Sequence, residues 1–315
     1  MRFGRLDLNL LVALDALIEH RSVSGAASQL CLTQPALSGA LNRLRDYFED
    51  DLLVQSGRRM LLTAKAEQLA EPVRSALMII RSTITTPKDF DPAVAERHFV
   101  IAASDYAFNV LLADTFAEAF KVAPGISFEI TPSGRLMNER LERGEVDLTM
   151  SIGTYLLKEH PRATLFDDEH AVVCWSEGKF RDGITAEQFF DAQHAIAYFG
   201  ADRQPAFTET YFTSQGVQRK IALRLPNFAA LPQAVIGTQC VATMYRRHAE
   251  FFARSLAIRV HQIPVPMPRI VEEVQWHSMR DKDEGLEWLV GRLRASAKRL
   301  QPETPPSMVS ASVIV

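Results

Sequence analysis

The chain has 315 residues, 47% hydrophobic and 23% charged, with a formal net charge of −3. At about 150 residues per domain this suits about two domains with cores of their own. The composition excludes a disordered or collagen-like chain, and no apolar run approaches the ~18 residues of a membrane span.

In chain order, Leu11, Leu14 and Ile18 recur at helical spacing and predict an amphipathic first helix. Asp7, Asn9 and Asp15 break its apolar stretch and no small-residue cleavage site follows, so no signal peptide and a cytoplasmic location are expected. Ser22 or Ser24 can cap a short second helix that turns Ala26, Ala27 and Leu30 inward. After the turn Cys31-Leu32-Thr33, Thr33 can cap a third helix. Pro35 is tolerated there because it falls in the first turn, and Leu37, Ala40 or Leu41, Leu44 and Phe48 form the buried side. LLVQSGRRMLLT reads as a hairpin with Arg58 and Arg59 at its tip. Residues 64–85 form a longer helix with one stripe, Leu69, Val73, Leu77, Ile80 and Ile84, for which a partner helix, hence a dimer, is expected. From Phe99 strand-like and helical runs alternate, predicting an α/β region of mainly parallel sheet long enough for two lobes. The residues after 301, rich in proline and without a period, are expected to be disordered.

Chemistry-bearing patterns are scarce. The nucleophile elbow, the zinc-protease helix, the dinucleotide fingerprint and the phosphate loop are all missing, so no catalytic residue, metal or cofactor is expected. Asp167-Asp168-Glu169-His170 reads as a solvated strand entry, and Asp281-Lys282-Asp283-Glu284-Gly285 as the cap of the last helix. Three scattered cysteines, Cys31, Cys174 and Cys240, make no disulfide framework or zinc site and are expected as buried thiols.

Residues 1–86 carry 10 Lys and Arg against 9 Asp and Glu, so bulk charge offers no support for DNA binding. Position does. Gln34, Ser38, Asn42 and Arg45 fall on one side of the third helix, opposite its apolar face, with Arg43 beside them. Gln pairs bidentately with adenine, Ser and Asn reach base edges or phosphates, and Arg binds guanine or phosphate. Arg58 and Arg59 suit phosphates or a minor groove. Any solvated helix offers a polar face; here a preceding short helix, a tight turn and a basic hairpin accompany it. A solute-binding module or an α/β enzyme remain the alternatives, and neither explains the helix-turn-helix.

At these residues the sequence resembles the LysR-type transcriptional regulators, from about Leu6 to Ala66, most specifically in AASQL-x-LTQPALS and the LT-x-x-A after the hairpin. RLERGEVDLTMSIG, LPNFAALPQAVIGTQCVATMYRR and QWHSMRDKDEGLEWLVGRLR extend the resemblance over roughly 1–300, towards the branch that answers flavonoids, salicylate or chlorinated phenols. The resemblance implies an N-terminal winged helix-turn-helix (1–63), a linker and dimerisation helix (64–91) and a two-lobe α/β effector domain like periplasmic binding proteins (92–300). Lobe one would take 92–165 and 270–300, lobe two 166–267, and 301–315 would be a tail. It implies a homotetramer on promoter DNA, activation by a small, here aromatic or phenolic, effector, and RNA polymerase as a candidate partner. By position, the DNA contacts would be Thr33, Gln34, Pro35, Ser38 and Arg58. Gly39 departs from the arginine that many members carry there. Effector contacts would be Ser104, Ser133, Gly134, Asn227 and Phe228; Tyr106, Phe108, His194 and Tyr198 are further candidates to meet a ring.

Overall fold

A computed structural model describes residues 7–57, 59–84, 90–200 and 203–300. Residues 1–6, Arg58, 85–89, 201–202 and the tail after 300 lie outside the described residues. The chain divides into two compact units near residue 87.

The first unit opens with α1 (Leu8–His20), whose N-terminus is capped by the Asp7 carboxylate accepting from the Asn9 amide at 3.0 Å. Ser22 caps α2 (Val23–Gln29), and Thr33 caps α3 (Gln34–Phe48) by accepting from the Ala36 amide. Leu37, Leu41 and Leu44 bury against Leu14, Leu17 and Ala26. Cys31 takes a left-handed backbone (φ 52) in the turn and is exposed, against the expectation of a buried thiol. The antiparallel hairpin β1 (Leu53–Ser56) and β2 (Arg59–Leu62) follows, with Gly57 at φ 62 in its turn, a conformation glycine adopts without steric cost. In α4 (Ala64–Ile84), Val73 and Leu77 join the core of their own unit, and Arg74 pairs with Asp15 at 3.4 Å. The expected apolar stripe therefore already finds part of its cover on α1, and Ile79 beside it is exposed.

The second unit holds two sheets. The first has the order β4 (Ile126–Pro132), β3 (Arg97–Ala103), β5 (Leu148–Ile152), β13 (Ile270–Gln275), β6 (Arg162–Asp168). The second has the order β10 (Lys220–Leu225), β8 (Gln193–Phe199), β11 (Val241–Tyr245), β7 (His170–Trp175), β12 (Ile258–Gln262), with β9 (Gln204–Pro205) beside β8. The sheets are mixed rather than mainly parallel: β13 runs antiparallel to β5 and β6, and β7 antiparallel to β11 and β12. Antiparallel pairing follows because the chain crosses between the lobes twice, from β6 into β7 and from β12 back into β13. A boundary at 165 falls inside β6, which stays with the first sheet to Asp168.

Helices line both sheets. On the first lobe lie α5 (Asp105–Ala107), continued by a π-helical turn at Phe108–Leu112, then α6 (Ala113–Val122) and α7 (Met137–Glu142). On the second lie α8 (Ala186–Asp191), α9 (Phe207–Ser214), α10 (Ala230–Val235) and α11 (Arg246–Ala253). The last helix, α12 (Glu284–Leu300), returns to the first lobe and buries Leu286, Leu289 and Leu293. The acidic run before it does cap it, since Asp283 accepts from the Leu286 amide. Asp283 also takes a bidentate pair from Arg97 (2.6 and 2.7 Å) and a bond from Arg280. Burial alone would raise the Asp283 pKa; the two guanidinium groups bring it down to about 2.

Candidate functional site

The first candidate surface is the outer side of α3. Gln34, Pro35 and Asn42 are exposed there, Ser38 is half-buried, and Thr33 spends its hydroxyl on the cap. Capping and three buried leucines hold this helix rigidly, so its outer side chains occupy defined positions at helical spacing. Arg43 is exposed and pairs with Asp7 at 3.2 Å. Arg59 is exposed at the start of β2, while Arg58 is outside the described residues. Arg45 behaves differently from the rest of the expected stripe. Its guanidinium donates to the Asp51 carbonyl (2.8 Å) and the Leu53 carbonyl (2.9 Å), which fixes the wing strand to α3. A guanidinium with two backbone acceptors is a brace of the fold rather than a free base-reading group.

The second candidate is a cleft of about 500 Å³ between the two lobes. Its lining comes from the C-terminal ends of β3, β4 and β5 on one side and of β8 and β11 on the other, the usual place for ligands in open α/β sheets. Ser104, Ser133, Gly134 and Phe228 line it as expected from sequence, together with Tyr106. Ser104 also caps α5, accepting from the Ala107 amide. The walls are aromatic: Tyr106 packs against Tyr245 with ring centroids 4.6 Å apart, Tyr245 against Phe228 at 5.3 Å, and Phe228 against Phe199 at 5.0 Å. Tyr155 and Phe207 complete them.

Four sequence candidates lie elsewhere. His194 is fully buried within the second lobe, where its Nε2 donates to the Phe189 carbonyl at 2.8 Å and its Nδ1 faces Arg219. Burial, then the Arg219 charge, push its pKa down to about 4, so it is a neutral core histidine. Asn227 accepts from the Ala230 amide at 2.9 Å and orders the start of α10, off the cleft wall. Phe108 is exposed outside the cleft, and Tyr198 faces Arg203.

Polar chemistry at the cleft joins Tyr106, a sequence candidate, to two acids that sequence reasoning did not place there: Asp168, read as part of a solvated strand entry but buried, and Glu272. The Tyr106 hydroxyl donates to Asp168 at 2.9 Å. Burial, then the Asp168 charge, raise the Tyr106 pKa well above the ordinary tyrosine value. Asp168 further accepts from the Glu169 and Arg247 amides, and burial raises its own pKa. Glu272 lines the cleft from the middle of β13 with only 2% of its surface exposed. Burial first, then Asp168 and Glu273, push its pKa up to about 8. A signal for it existed: Ile270, Glu272 and Val274 alternate along β13 and all are buried, so the period-two pattern puts the acid on the inner face. Two contacts tie the lobes near the cleft. Asp105 accepts from the Ala229 amide at 2.5 Å, and the Asn109 amide donates to the buried His248 at 3.0 Å.

Comparison with known proteins decides the family. Residues 8–67 match the bacterial regulatory helix-turn-helix proteins of the lysR family, and residues 93–298 match the LysR substrate binding domain. The chain belongs to the LysR family of DNA-binding transcriptional regulators. It is 38% identical over 301 residues to nodulation protein D 1 of Mesorhizobium japonicum, covering 95% of this chain and 96% of that one. It is 37% identical to nodulation protein D 1 of Rhizobium tropici, covering 95% and 98%. Among solved structures it is similar to a probable transcriptional regulator of Pseudomonas aeruginosa, with TM-score 0.62, 28% identity and coverage of 93% and 98%. As a LysR regulator the chain is a transcription factor and not an enzyme. Among the described residues no helix is long and apolar enough to cross a membrane.

Proposed function

We propose that this LysR regulator is a cytoplasmic activator that binds a promoter through α3 and its wing and answers a small aromatic or phenolic compound bound between its lobes. The observation that carries the effector class is the wall of Tyr106, Tyr155, Phe199, Phe207, Phe228 and Tyr245 at the strand ends. Offset and edge-on rings of this kind favour a flat aromatic guest. Similarity to nodulation protein D favours the flavonoid-answering branch over those answering salicylate or chlorinated phenols.

On the DNA, Gln34 and Ser38 read base edges, Asn42 and Arg43 stand beside them, and Thr33, Pro35, Arg58 and Arg59 position the helix and the wing on the backbone. Ser104, Ser133, Gly134 and Phe228 meet the effector. The segment 64–85 pairs two copies, and two such dimers assemble on one promoter, within reach of RNA polymerase. Effector binding shifts the lobes across the Asp105–Ala229 and Asn109–His248 contacts, and the bend of the bound DNA changes with them.

Fluorescence anisotropy on the DNA upstream of its own coding region tests this, at ~150 mM salt because phosphate contacts make affinity salt-dependent. Excess random DNA and a panel of phenols, hydroxyflavones and aromatic acids are included. Competitor-resistant binding that shifts with a phenol or hydroxyflavone is expected. Binding that no aromatic compound alters overturns the effector class.

A further inference from the structure

Glu272 is a carboxyl in an unusual setting. It sits on β13 between β5 and β6, opposite Ile152 on one side and Phe166 on the other, both buried and apolar. Among the described residues its carboxyl makes no hydrogen bond and no ion pair. The charged groups that act on it are acids: Asp168 at the end of β6 and Glu273 on its own strand. The titratable groups facing it from the other elements are the hydroxyls of Tyr106 on α5 and Tyr245 on β11, both buried. Asp168 already accepts a hydrogen bond from the Tyr106 hydroxyl. Glu273 is drawn off to Arg162 at 3.4 Å and to the Thr164 hydroxyl. Among the described residues no cation pairs with Glu272, yet it lines the cleft.

A buried acid without a cation or a donor is stable only when it keeps its proton. A protonated carboxyl is a hydrogen-bond donor, and among the described residues no acceptor is bonded to this one. The acceptor has to come from what fills the cleft. An ionised guest is a poor candidate, because it would add negative charge beside Asp168, and Arg247, the cation that acts on Asp168, lies off the cleft wall. Arg135, the cation that also lines the cleft, is exposed.

We propose that Glu272 is a specificity-determining residue of the effector cleft, held as the neutral acid, whose proton is donated to an acceptor oxygen of an uncharged aromatic effector. The inference rests on the aromatic-effector reading above and adds the protonation state and polarity of the guest. Effector affinity is then coupled to the proton: constant while Glu272 keeps it, and falling about tenfold per pH unit once it is lost, around and above pH 8.

The test uses the full chain and flavone, an aromatic ketone without a titrating group, with a ring-carboxylated flavone as the ionised counterpart. Calorimetric titration runs from about pH 6 to about pH 9 on the native chain, Glu272→Gln and Glu272→Leu. Native protein is expected to bind flavone equally at the acid end, to lose affinity steeply at the alkaline end, and to bind the carboxylate at least about tenfold more weakly. The near-isosteric Glu272→Gln still donates, so its affinity becomes flat with pH. Glu272→Leu loses about tenfold or more at every pH. Infrared spectra of the unliganded chain supply a readout free of any ligand: a protonated-carboxyl carbonyl band at neutral pH, absent from Glu272→Gln.

Flavone affinity that is independent of pH and indifferent to Glu272→Leu overturns the proposal while leaving the aromatic-effector reading intact. A native chain that binds neither compound at any pH overturns both. Absence of the infrared band shows that Glu272 is ionised, and overturns the proposal whatever binds.

Discussion

The outer face of α3 and the interlobe cleft are two recognition surfaces built on different principles. The helix presents its polar side chains within one short run, from Thr33 to Arg43, each held outward by the leucines buried behind it. The cleft gathers Ser104, Ser133, Phe228, Tyr245 and Glu272 from strand ends far apart in the chain. The first is exposed and its side chains meet water; the second is aromatic and holds Glu272, an acid that burial keeps protonated. A surface of the first kind tolerates exchange of one side chain at a local cost. A surface of the second kind depends on the whole domain being folded, and on pH.

That contrast can be broken most forcefully by acid. His170, His194 and His248 are buried neutral, each with its pKa pushed down to about 4, chiefly by burial. A depressed histidine contributes stability that is present above its unfolded value of 6.5 and lost as pH falls through about 4. Glu272 works in the opposite sense. Its contribution is complete below 4.5 and is lost as pH rises through about 8. The windows overlap, but three histidines outweigh one acid, so stability of residues 88–300 against urea is expected to peak near pH 6.5 and to fall by on the order of 5 kcal/mol on the acid side. The winged helix has no comparable buried group among its described residues, and should change far less. Equal acid sensitivity of the two units, followed by domain-resolved hydrogen exchange, would contradict this.

Asp283→Ala strands Arg97 and leaves Arg280 only its pair with Asp147, both side chains being mostly buried, and is expected to destabilise the effector unit by about 3–5 kcal/mol. The same exchange measurement should leave the amides of α1–α3 unchanged. On the other surface, Gln34→Ala is expected to cost about 1–3 kcal/mol on the cognate site and little on random DNA, read by anisotropy with competitor; equal losses on both would remove its base-reading role. Arg45→Ala separates two explanations for one residue. If it braces the wing, thermal stability of the N-terminal unit drops, and affinity for specific and random DNA falls in parallel. The smallest effect is expected from Thr33→Ala, which removes one helix cap and about 1 kcal/mol of stability.

The winged helix was legible in the sequence because its determinants are local. A capping threonine, a first-turn proline, leucines at helical spacing and a serine-glycine turn each act within a few residues. Arg45 escaped that reading because helical spacing tells which way a side chain leaves the helix and not what a long guanidinium reaches. In the effector domain the alternation of strands and helices and the strand-end loops of Ser104 and Ser133 could be read. The antiparallel crossing of β13 could not, since nothing near residue 270 marks which strands it will join. His194 and Asn227 failed for a related reason: side chains near a strand end or a helix start can face core, cap or cleft, and packing from distant segments decides among them.

The position of β13 carries a further consequence, for biosynthesis. The N-terminal unit is complete once α4 has left the ribosome. The first sheet of the effector domain is not, because β6 pairs with β13 and β13 is made about 100 residues later. At synthesis rates of roughly 5–20 residues per second, β6 waits on the order of 5–20 s for its neighbour. During that interval a nascent chain exposes a folded DNA-binding head and an open sheet edge. A chain cut short anywhere between α4 and residue 270 would keep the head and lose the strand that joins β5 to β6. Nonsense mutations in the second lobe should therefore yield aggregation-prone fragments with an intact helix-turn-helix, rather than shortened regulators that still sense an effector.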